Sequence, residues 1–196
     1  GPENVICAYN NNKPAHNCLN MCIEQIDVRD DFSIEAIFDK HRGITDVWNL
    51  AAPLSITSAE NPTQADDVTI GGMKNILKVM KKYGAQKLCF SDSIGSYGQG
   101  SPRSDVEASW LVHNPHIHSG SHYGELKKRC RTLMREETNI DNRFAVIPGV
   151  LHGDSKWSKG TTEYALEAID ALIKSQDYVC PVKWETQLPM IHINDL

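Results

Sequence analysis

The sequence predicts an α/β fold in which helices cover both faces of a parallel β-sheet. Short apolar segments typical of buried strands alternate along the chain with longer segments of helical periodicity. No internal repeat, low-complexity tract or long linker interrupts this alternation. The length of 196 residues suits one domain, so we expect residues 1–196 to form a single unit.

Buried strands are predicted where short apolar runs are bounded by turn residues. These runs cover 4–9, 22–28, 46–51, 87–93, 143–148 and a segment near 178–182, with a last extended run over 188–193. The run at 46–51 is apolar enough to be covered on both faces. Such strands are typical of a parallel sheet rather than an antiparallel one.

Helices are predicted in four of the intervening segments. Asp31 or Ser33 caps the first, and the second runs over 62–83 to Gly84. The third contains Tyr123 and Lys127, and the fourth covers about 161–174. The apolar positions that we expect to face the sheet are Ile34, Ile37, Phe38, Ile70, Met73, Ile76, Leu77, Met80, Leu126, Cys130 and Leu133.

A phenol and an ammonium share one face of the third predicted helix. Tyr123 and Lys127 lie four residues apart, which places their Cβ atoms about 5–6 Å from each other. A cation beside a phenol favours the phenolate, so we expect Lys127 to lower the pKa of Tyr123 from about 10. Ser93 ends a predicted strand before a glycine-containing turn, where its hydroxyl can hold a substrate oxygen near the phenol. Polar pairs at this spacing also occur on exposed helix faces. The predicted strand and turn before this helix favour an acid/base site instead.

The composition indicates a globular protein without a nucleic-acid or membrane partner. Apolar residues make up 40% and the net charge is −5, which fits neither disorder nor a basic nucleic-acid footprint. No apolar run approaches the ~20 residues needed to cross a bilayer, and the first residues do not have the pattern of a signal peptide. The six cysteines are scattered without a Cys-x-x-Cys motif, so we expect reduced thiols in an intracellular compartment.

Two further charged clusters have simple interpretations. Four histidines precede or begin the Tyr123 helix and can in principle bind a transition metal, but no cysteine or carboxylate lies among them. We therefore expect a solvated loop and no metal site. Apart from Lys127, the basic run 127–131 is interpreted as a surface stripe balanced by Glu136 and Glu137.

Several stretches resemble the extended short-chain dehydrogenase/reductases, which pair a strand-end Ser or Thr with Tyr-x-x-x-Lys. Within that group they are most similar to the L-threonine 3-dehydrogenase branch, related to the sugar-nucleotide epimerases. The stretches that carry this resemblance are Gly160-Thr161-Thr162-Glu163-Tyr164-Ala165, Leu188-Pro189-Met190, Asn49-Leu50-Ala51-Ala52-Pro53-Leu54-Ser55 and Pro148-Gly149. The fold that this resemblance implies is a Rossmann-type doubly wound parallel sheet, with 150–196 contributing the substrate-side lobe.

The resemblance also implies a reaction, NAD-dependent oxidation of an alcohol carbon to a ketone. Tyr123 would be the base, Lys127 would lower its pKa and hold the nicotinamide ribose, and Ser93 would bind the reacting oxygen. The substrate, by the same resemblance, is a small molecule of the threonine type. The cofactor would carry the hydride chemistry.

Cofactor and substrate contacts follow from the resemblance as well. Asp27 and Val28 would meet the adenine, and Ala51 and Lys127 complete the cofactor-binding set. The residues that would line the substrate site are Ser55, Thr161 and Thr162. The resemblance further implies pairing as a homodimer or within a larger assembly, in mitochondria or in the cytoplasm.

The sequence lacks the first strand of this fold and its glycine-rich loop. The dinucleotide pyrophosphate sits over that loop, and no Gly-x-x-Gly-x-x-Gly turn occurs after the first predicted strand. The first predicted strand corresponds to the second strand of the family, so the missing strand is central in the order 3-2-1-4-5-6. Its absence leaves two ladder edges open, where each unsatisfied group costs about 1–3 kcal/mol. We therefore expect these 196 residues not to fold stably alone.

Other departures concern single positions. Asn10 stands where the family has an acidic residue for the adenosine ribose, and Thr69 stands where it has Asn. Val146 replaces an Arg that could bind a carboxylate. The chain also ends at Leu196, before the last helices of the family. Two hypotheses remain: a dehydrogenase with impaired cofactor binding, or a catalytically inactive subunit with a structural role in a larger complex.

Overall fold

Every strand in the computed structural model pairs in parallel with its neighbours. The structure describes residues 1–14, 21–98, 100–153, 160 and 162–196. Within these residues the strands are β1 Ile6–Tyr9, β2 Cys22–Gln25, β3 Asp46–Asn49, β4 Lys87–Ser93, β5 Asp141–Ile147, β6 Gly149–Leu151 and β7 Met190–His192. The predicted parallel α/β architecture is confirmed.

The strands are divided among three separate sheets. β1 pairs with β2, the order β3-β4-β5 forms a second sheet, and β6 pairs with β7. In the register of the central sheet, Asp46 and Asp141 both lie opposite Lys87. Among the described residues no strand joins β1 to β3, which is the place where the fold has its first strand.

Seven α-helices connect or flank these strands within the described part of the chain. They are α1 Asp31–Lys40, α2 Ser55–Glu60, α3 Pro62–Asp66, α4 Gly72–Tyr83, α5 Ser109–His113, α6 His122–Glu136 and α7 Tyr164–Ile173. A π-helical turn, Asp67–Gly71, joins α3 to α4, so the predicted helix 62–83 is interrupted by one wide turn. None of the described helices is long and apolar enough to cross a lipid bilayer.

The core lies between the central sheet and the helices α1, α4 and α6. Leu88 and Phe90 on β4 are buried, and the face of α6 that meets them includes Leu126, Cys130 and Met134. Gly84 ends α4 with a left-handed φ of 77°, as the sequence predicts. The predicted core positions on α1, the π-helical turn, α4 and α6 that are buried are Ile34, Phe38, Ile70, Met73, Ile76, Leu77, Met80, Leu126 and Cys130.

Three local predictions differ from the structure. No strand forms near 178–182, where the backbone is irregular. The cap of α1 is Asp30, whose side chain accepts a hydrogen bond from the Phe32 amide, rather than Asp31 or Ser33. The Ser33 hydroxyl instead accepts a hydrogen bond from the Asp27 amide at 3.1 Å, so it fixes the end of the preceding loop. Helix α2 was not predicted.

The prediction that strand β3 is covered on both faces was wrong. Trp48 is 71% exposed and Leu50, just beyond the strand, is 69% exposed. Trp48 pairs with Cys89 on one side only, because β3 is an edge strand of the described sheet. Strand β3 therefore has the apolar composition of a central strand but lies at an edge that is unpaired among the described residues.

Candidate active site

Ser93 lies at the carboxyl end of β4, where the chain turns into a short 3-10 helix, Ile94–Ser96. Its hydroxyl accepts a hydrogen bond from the Gly95 amide at 3.1 Å, which caps this turn. The preceding residue, Asp92, is buried and accepts a hydrogen bond from the Ser96 hydroxyl at 2.5 Å. Both side chains thus hold the turn that presents the Ser93 hydroxyl.

The first turn of α6 packs directly against that turn. The Ser121 side chain caps α6 by accepting a hydrogen bond from the Gly124 amide at 3.1 Å. A Cβ atom on Gly124 would lie 2.0 Å from the Gly95 carbonyl oxygen. Only glycine therefore permits this approach, which brings the beginning of α6 to the end of β4.

Tyr123 and Ser93 meet at this junction, as the sequence predicts. A Cβ atom on Gly95 would lie 3.2 Å from Tyr123 Cδ1 and 3.5 Å from Ser93 Oγ, so both side chains border the same small space. Burial raises the pKa of the Tyr123 phenol, and the hydrogen bond with the Ser93 side chain opposes this shift without reversing it.

Lys127 is 2% exposed and lies one helical turn after Tyr123. Its ammonium donates a hydrogen bond to the Ser91 carbonyl oxygen at 2.6 Å. It also lies 4.7 Å from the centre of the Phe90 ring and 5.4 Å from the centre of the Tyr123 ring. Burial lowers the pKa of Lys127, because the charged form loses its hydration.

The predicted direction of the Tyr123 pKa shift was wrong for this state of the protein. The sequence predicts that Lys127 lowers the pKa of the phenol, whereas burial raises it. The ammonium is bound to the Ser91 carbonyl and packs on rings rather than reaching the phenol oxygen. Tyr123 and Lys127 therefore share one helix face, but the ammonium does not lower the pKa of the phenol as their spacing predicts.

A buried ion pair beneath the site was not predicted. Arg131 is 5% exposed and its guanidinium donates a hydrogen bond to the carboxylate of Asp92. The basic run 127–131 is therefore not a surface stripe, because Lys127 and Arg131 both face the protein interior. Of the two basic residues between them, Arg129 is exposed and Lys128 is only 19% exposed. Arg129 pairs with Asp66 and Lys128 with Glu125, rather than with Glu136 or Glu137.

The histidines at the beginning of α6 have carboxylate neighbours. His118 Nδ1 lies 2.8 Å from Glu125 Oε1, and His122 Nε2 lies 3.0 Å from Asp66 Oδ2. The sequence did not indicate the contact with Asp66 because Asp66 belongs to α3, far away in the chain. These contacts anchor the loop before α6.

The predicted cofactor contacts lie beyond the carboxyl ends of β2 and β3. Asp27 binds the Arg29 guanidinium, and this hydrogen bond lowers the pKa of Asp27 to about 2. Val28 is buried and packs on α4, where a Cβ atom on Gly72 would lie 2.7 Å from its Cγ2. The Ala51 amide donates to the Asn49 side chain at 3.1 Å. Ala51 follows β3, which pairs in parallel with β4, so its end and the end that carries Ser93 lie at the same edge of the central sheet, whereas Asp27 and Val28 follow a strand of a separate sheet.

The predicted substrate residues are only partly described. Ser55 begins α2 and is half-buried. Thr162 packs against β6, because a Cβ atom on Gly149 would lie 2.5 Å from its Oγ1. Thr161 lies outside the described residues.

The three positions that depart from the family pattern have structural neighbours of their own. The Asn10 side chain donates to the Ile26 carbonyl oxygen at 3.1 Å and hydrogen-bonds to Asp27. Thr69 is buried in the π-helical turn. Val146 lies on β5 opposite Asp92.

Comparison with known proteins decides the family. A profile of the NAD dependent epimerase/dehydratase family matches residues 1–152. The chain belongs to this family. Curated relatives include an L-threonine 3-dehydrogenase, mitochondrial, from Bos taurus, which is 30% identical over 100% of this chain and 51% of its own length. Another is an uncharacterized epimerase/dehydratase from Staphylococcus haemolyticus, which is 26% identical over 88% of this chain and 53% of its length.

Solved structures of this epimerase/dehydratase family have the same fold. A monomeric L-threonine 3-dehydrogenase from a metagenome is 30% identical, has a TM-score of 0.81, and aligns with 100% of this chain and 61% of that structure. A Thermus thermophilus UDP-glucose 4-epimerase in complex with NAD has a TM-score of 0.80 at 18% identity, over 97% of this chain and 63% of that structure. The chain spans about half the length of the curated relatives that it matches.

The residues at the junction of β4 and α6 fit the nicotinamide end of an NAD molecule. Ser93, Tyr123 and Lys127 supply a hydroxyl, a phenol and an ammonium, which are groups that suit a ribose diol and a reacting oxygen.

Proposed function

We propose that the site formed by Ser93, Tyr123 and Lys127 carries out NAD-dependent interconversion of an alcohol and a ketone. The observation that carries this proposal is the junction of β4 and α6, where Tyr123 and the Ser93 hydroxyl border the same small space beside Gly95 and the buried ammonium of Lys127 lies one turn further along the helix. Membership of the NAD dependent epimerase/dehydratase family supports it.

Tyr123 moves the proton in this proposal. The Ser93 hydroxyl hydrogen-bonds to the substrate oxygen and holds it beside the phenol. Because burial raises the pKa of Tyr123, the phenol is protonated at neutral pH and is suited to give its proton to a carbonyl oxygen. In the opposite direction the phenolate accepts the hydroxyl proton. NAD, when bound, accepts or supplies the hydride.

Lys127 binds and orients rather than transfers a proton. An ammonium has three N–H donors, and the Ser91 carbonyl oxygen takes one of them at 2.6 Å. The other donors are directed toward a ribose diol in the proposal. Anchoring by the Ser91 carbonyl fixes where those donors point.

The proposed substrate is a small β-hydroxy amino acid of the threonine type. Support comes from the L-threonine 3-dehydrogenase relatives and from the polar side chains of Ser55 and Thr162, with Thr161 as the third predicted contact. Residues 150–196, which contain β7, α7 and all of β6 except Gly149, would form the substrate-side lobe. Val146 supplies no charge for a substrate carboxylate, so the specificity for a free amino acid is expected to be low.

A second candidate function is a catalytically inactive subunit with a structural role. The residues that favour it are Asn10, Thr69 and Val146, at positions where the resemblance implies an acidic residue, an Asn and an Arg. A structural subunit would associate in a homodimer or a larger assembly, for which the exposed Trp48 on β3 is suited. The mitochondrial location of the named relatives is the basis for proposing the same compartment, with the cytoplasm as the alternative.

Nucleotide binding separates the two functions. We expect the protein to bind both NAD and nicotinamide mononucleotide, because the proposed site holds the nicotinamide ribose that the two nucleotides share. Lys127→Met should weaken the binding of both nucleotides by about tenfold. Lys128→Met, which removes the ammonium that pairs with Glu125, should leave both affinities unchanged. The inactive subunit predicts that neither nucleotide binds. Equal affinities of Lys127→Met and the unaltered protein would contradict the placement of the nicotinamide ribose at Lys127.

A further inference from the structure

A second cluster of reactive side chains lies away from the candidate active site, between strand β2 and the end of helix α1. Cys22 and Glu24 are two residues apart on β2, so their side chains point to the same face. His41 follows the last residue of α1 and its amide caps that helix by donating to the Ile37 carbonyl oxygen. The fold thus brings a thiol, a carboxylate and an imidazole to one point.

The ligand atoms of these three residues converge. Cys22 Sγ lies 3.4 Å from Glu24 Oε1 and 3.7 Å from His41 Nε2. His41 Nε2 lies 2.7 Å from the same Glu24 oxygen. The side chains of His41 and Glu24 are only 23% and 14% exposed, so the cluster is largely shielded from water.

These separations match a tetrahedral zinc centre. With bonds of about 2.3 Å to sulfur and about 2.1 Å to nitrogen and oxygen, ligand atoms in such a centre lie about 3.4–3.6 Å apart. The two distances from Cys22 Sγ already fall close to this range. Only the imidazole and the carboxylate must separate, by about 0.7 Å, which a small side-chain rotation provides.

We propose that Cys22, Glu24 and His41 form a zinc-binding site that joins the outer strand β2 to the end of α1. Thiolate, imidazole and carboxylate are the ligands that zinc takes in proteins, and three of them leave a fourth position for water. On binding, the Cys22 thiol gives its proton to solvent and the thiolate sulfur bonds to the metal. The site belongs to the scaffold and is independent of the proposed oxidoreductase function.

Lys40 is the competitor for this site. Its ammonium lies 2.7 Å from Glu24 Oε1, the oxygen on which the thiol and the imidazole also converge. The Lys40 side chain is 62% exposed, so it can turn into solvent when a cation arrives. Removal of the Lys40 ammonium should therefore strengthen metal binding. A variant that failed to fold would bind the metal more weakly, so the two outcomes are distinguishable.

Cobalt is the probe for the first experiment, because its absorption spectrum reports thiolate ligation. We expect the full chain to bind one equivalent of Co²⁺, to show a thiolate-to-cobalt band, and to lose the band when zinc is added. Cys22→Ser should abolish the band. Glu24→Gln and His41→Asn should weaken binding by at least about tenfold, since loss of a second-shell partner alone costs about 10–100-fold. Lys40→Met should tighten binding by up to about fivefold, the equivalent of one exposed ion pair.

Matched cysteines provide the controls. Cys89→Ser and Cys180→Ser, at a half-buried and an exposed thiol outside the cluster, should leave the band intact. In the unaltered protein, zinc should protect Cys22 from alkylation, as read by peptide mass spectrometry, while Cys180 stays reactive. A spectrum without a thiolate band, a band that survives Cys22→Ser, or equal alkylation of Cys22 with and without zinc would overturn the proposal.

Discussion

Asp92 and Arg131 form a buried ion pair that ties the end of β4 to the middle of α6. The Asp92 carboxylate accepts hydrogen bonds from the Arg131 guanidinium, from the Ser96 hydroxyl at 2.5 Å and from the Ser93 amide at 2.8 Å. Since Ser93 lies on β4 and Tyr123 on α6, this pair holds together the two elements whose side chains form the candidate site.

The first prediction concerns this pair. Arg131→Met leaves the Asp92 carboxylate buried without its cation, which should lower the free energy of unfolding by about 3–5 kcal/mol. Arg129→Met removes an exposed pair with Asp66 from the same helix and should cost about 1 kcal/mol or less. Denaturant unfolding of both variants measures the difference. Equal losses would mean that the buried pair does not hold the elements together.

The second prediction concerns two helical glycines. Gly124→Ala places a Cβ atom 2.0 Å from the Gly95 carbonyl oxygen, so it should destabilise the protein by about 1–3 kcal/mol. Gly71→Ala meets no atom within 4 Å in a helical backbone and should stabilise it by about 0.5–1 kcal/mol. Thermal unfolding reports the sign of each change. A stabilising Gly124→Ala would contradict the close contact between β4 and α6.

Glu125 gives the third prediction, a dependence of stability on pH. Burial alone would raise the pKa of Glu125, but hydrogen bonds from Lys128 and the Ser119 amide outweigh it and lower the pKa to about 2. In the unfolded chain the pKa is about 4.5, so between these values the unfolded state binds more protons. The stabilisation is therefore complete above about pH 4.5 and is lost as the pH falls toward 2.

Glu125→Gln should accordingly destabilise the protein at neutral pH, and the difference from the unaltered protein should vanish toward pH 2. Glu136→Gln removes the same charge from the exposed end of α6 and serves as the control. Urea unfolding at several pH values provides the measurement. A difference that stays constant from pH 7 to pH 2 would show that the Glu125 carboxylate has no special role as an acceptor.

The fourth prediction tests the open edge of β3. Trp48 is 71% exposed at a strand edge that is unpaired among the described residues, a setting that promotes association between chains. Trp48→Lys should reduce concentration-dependent self-association and leave the free energy of unfolding nearly unchanged. Trp184→Lys, at a tryptophan that is 92% exposed and outside a strand, should have no such effect. Sedimentation velocity distinguishes the variants, and equal association of all three proteins would refute the role of the edge.

The sequence was sufficient for the parallel architecture and for the proximity of Ser93 and Tyr123. Alternating apolar segments located β1 to β5, and the spacing of Leu126 and Cys130 located the buried face of α6. The meeting of Ser93 and Tyr123 also followed, because strand ends and helix starts share one edge of a parallel sheet.

Electrostatic details were beyond the sequence because they depend on burial and on distant partners. Arg131 belongs to a basic run of the kind found at protein surfaces, and its buried partner, Asp92, lies 39 residues away in the chain. The pKa of Tyr123 shifts upward because burial dominates, and burial is not readable from the spacing to Lys127. Likewise, the cluster of Cys22, Glu24 and His41 matches no short metal-binding motif, because His41 lies 17 or more residues after the other two.

The measurement that tests the central claim most directly is alcohol-dependent formation of NADH by the full chain at saturating NAD, with L-threonine as the substrate. Tyr123→Phe removes the proton-transfer group and should lower the rate by about 10²–10⁴-fold. Tyr97→Phe, at a half-buried phenol that donates a hydrogen bond to the Glu107 carbonyl oxygen, should leave the rate unchanged. An undiminished rate in Tyr123→Phe, or no NADH from the unaltered protein, would contradict the assignment of Ser93, Tyr123 and Lys127 as an active site.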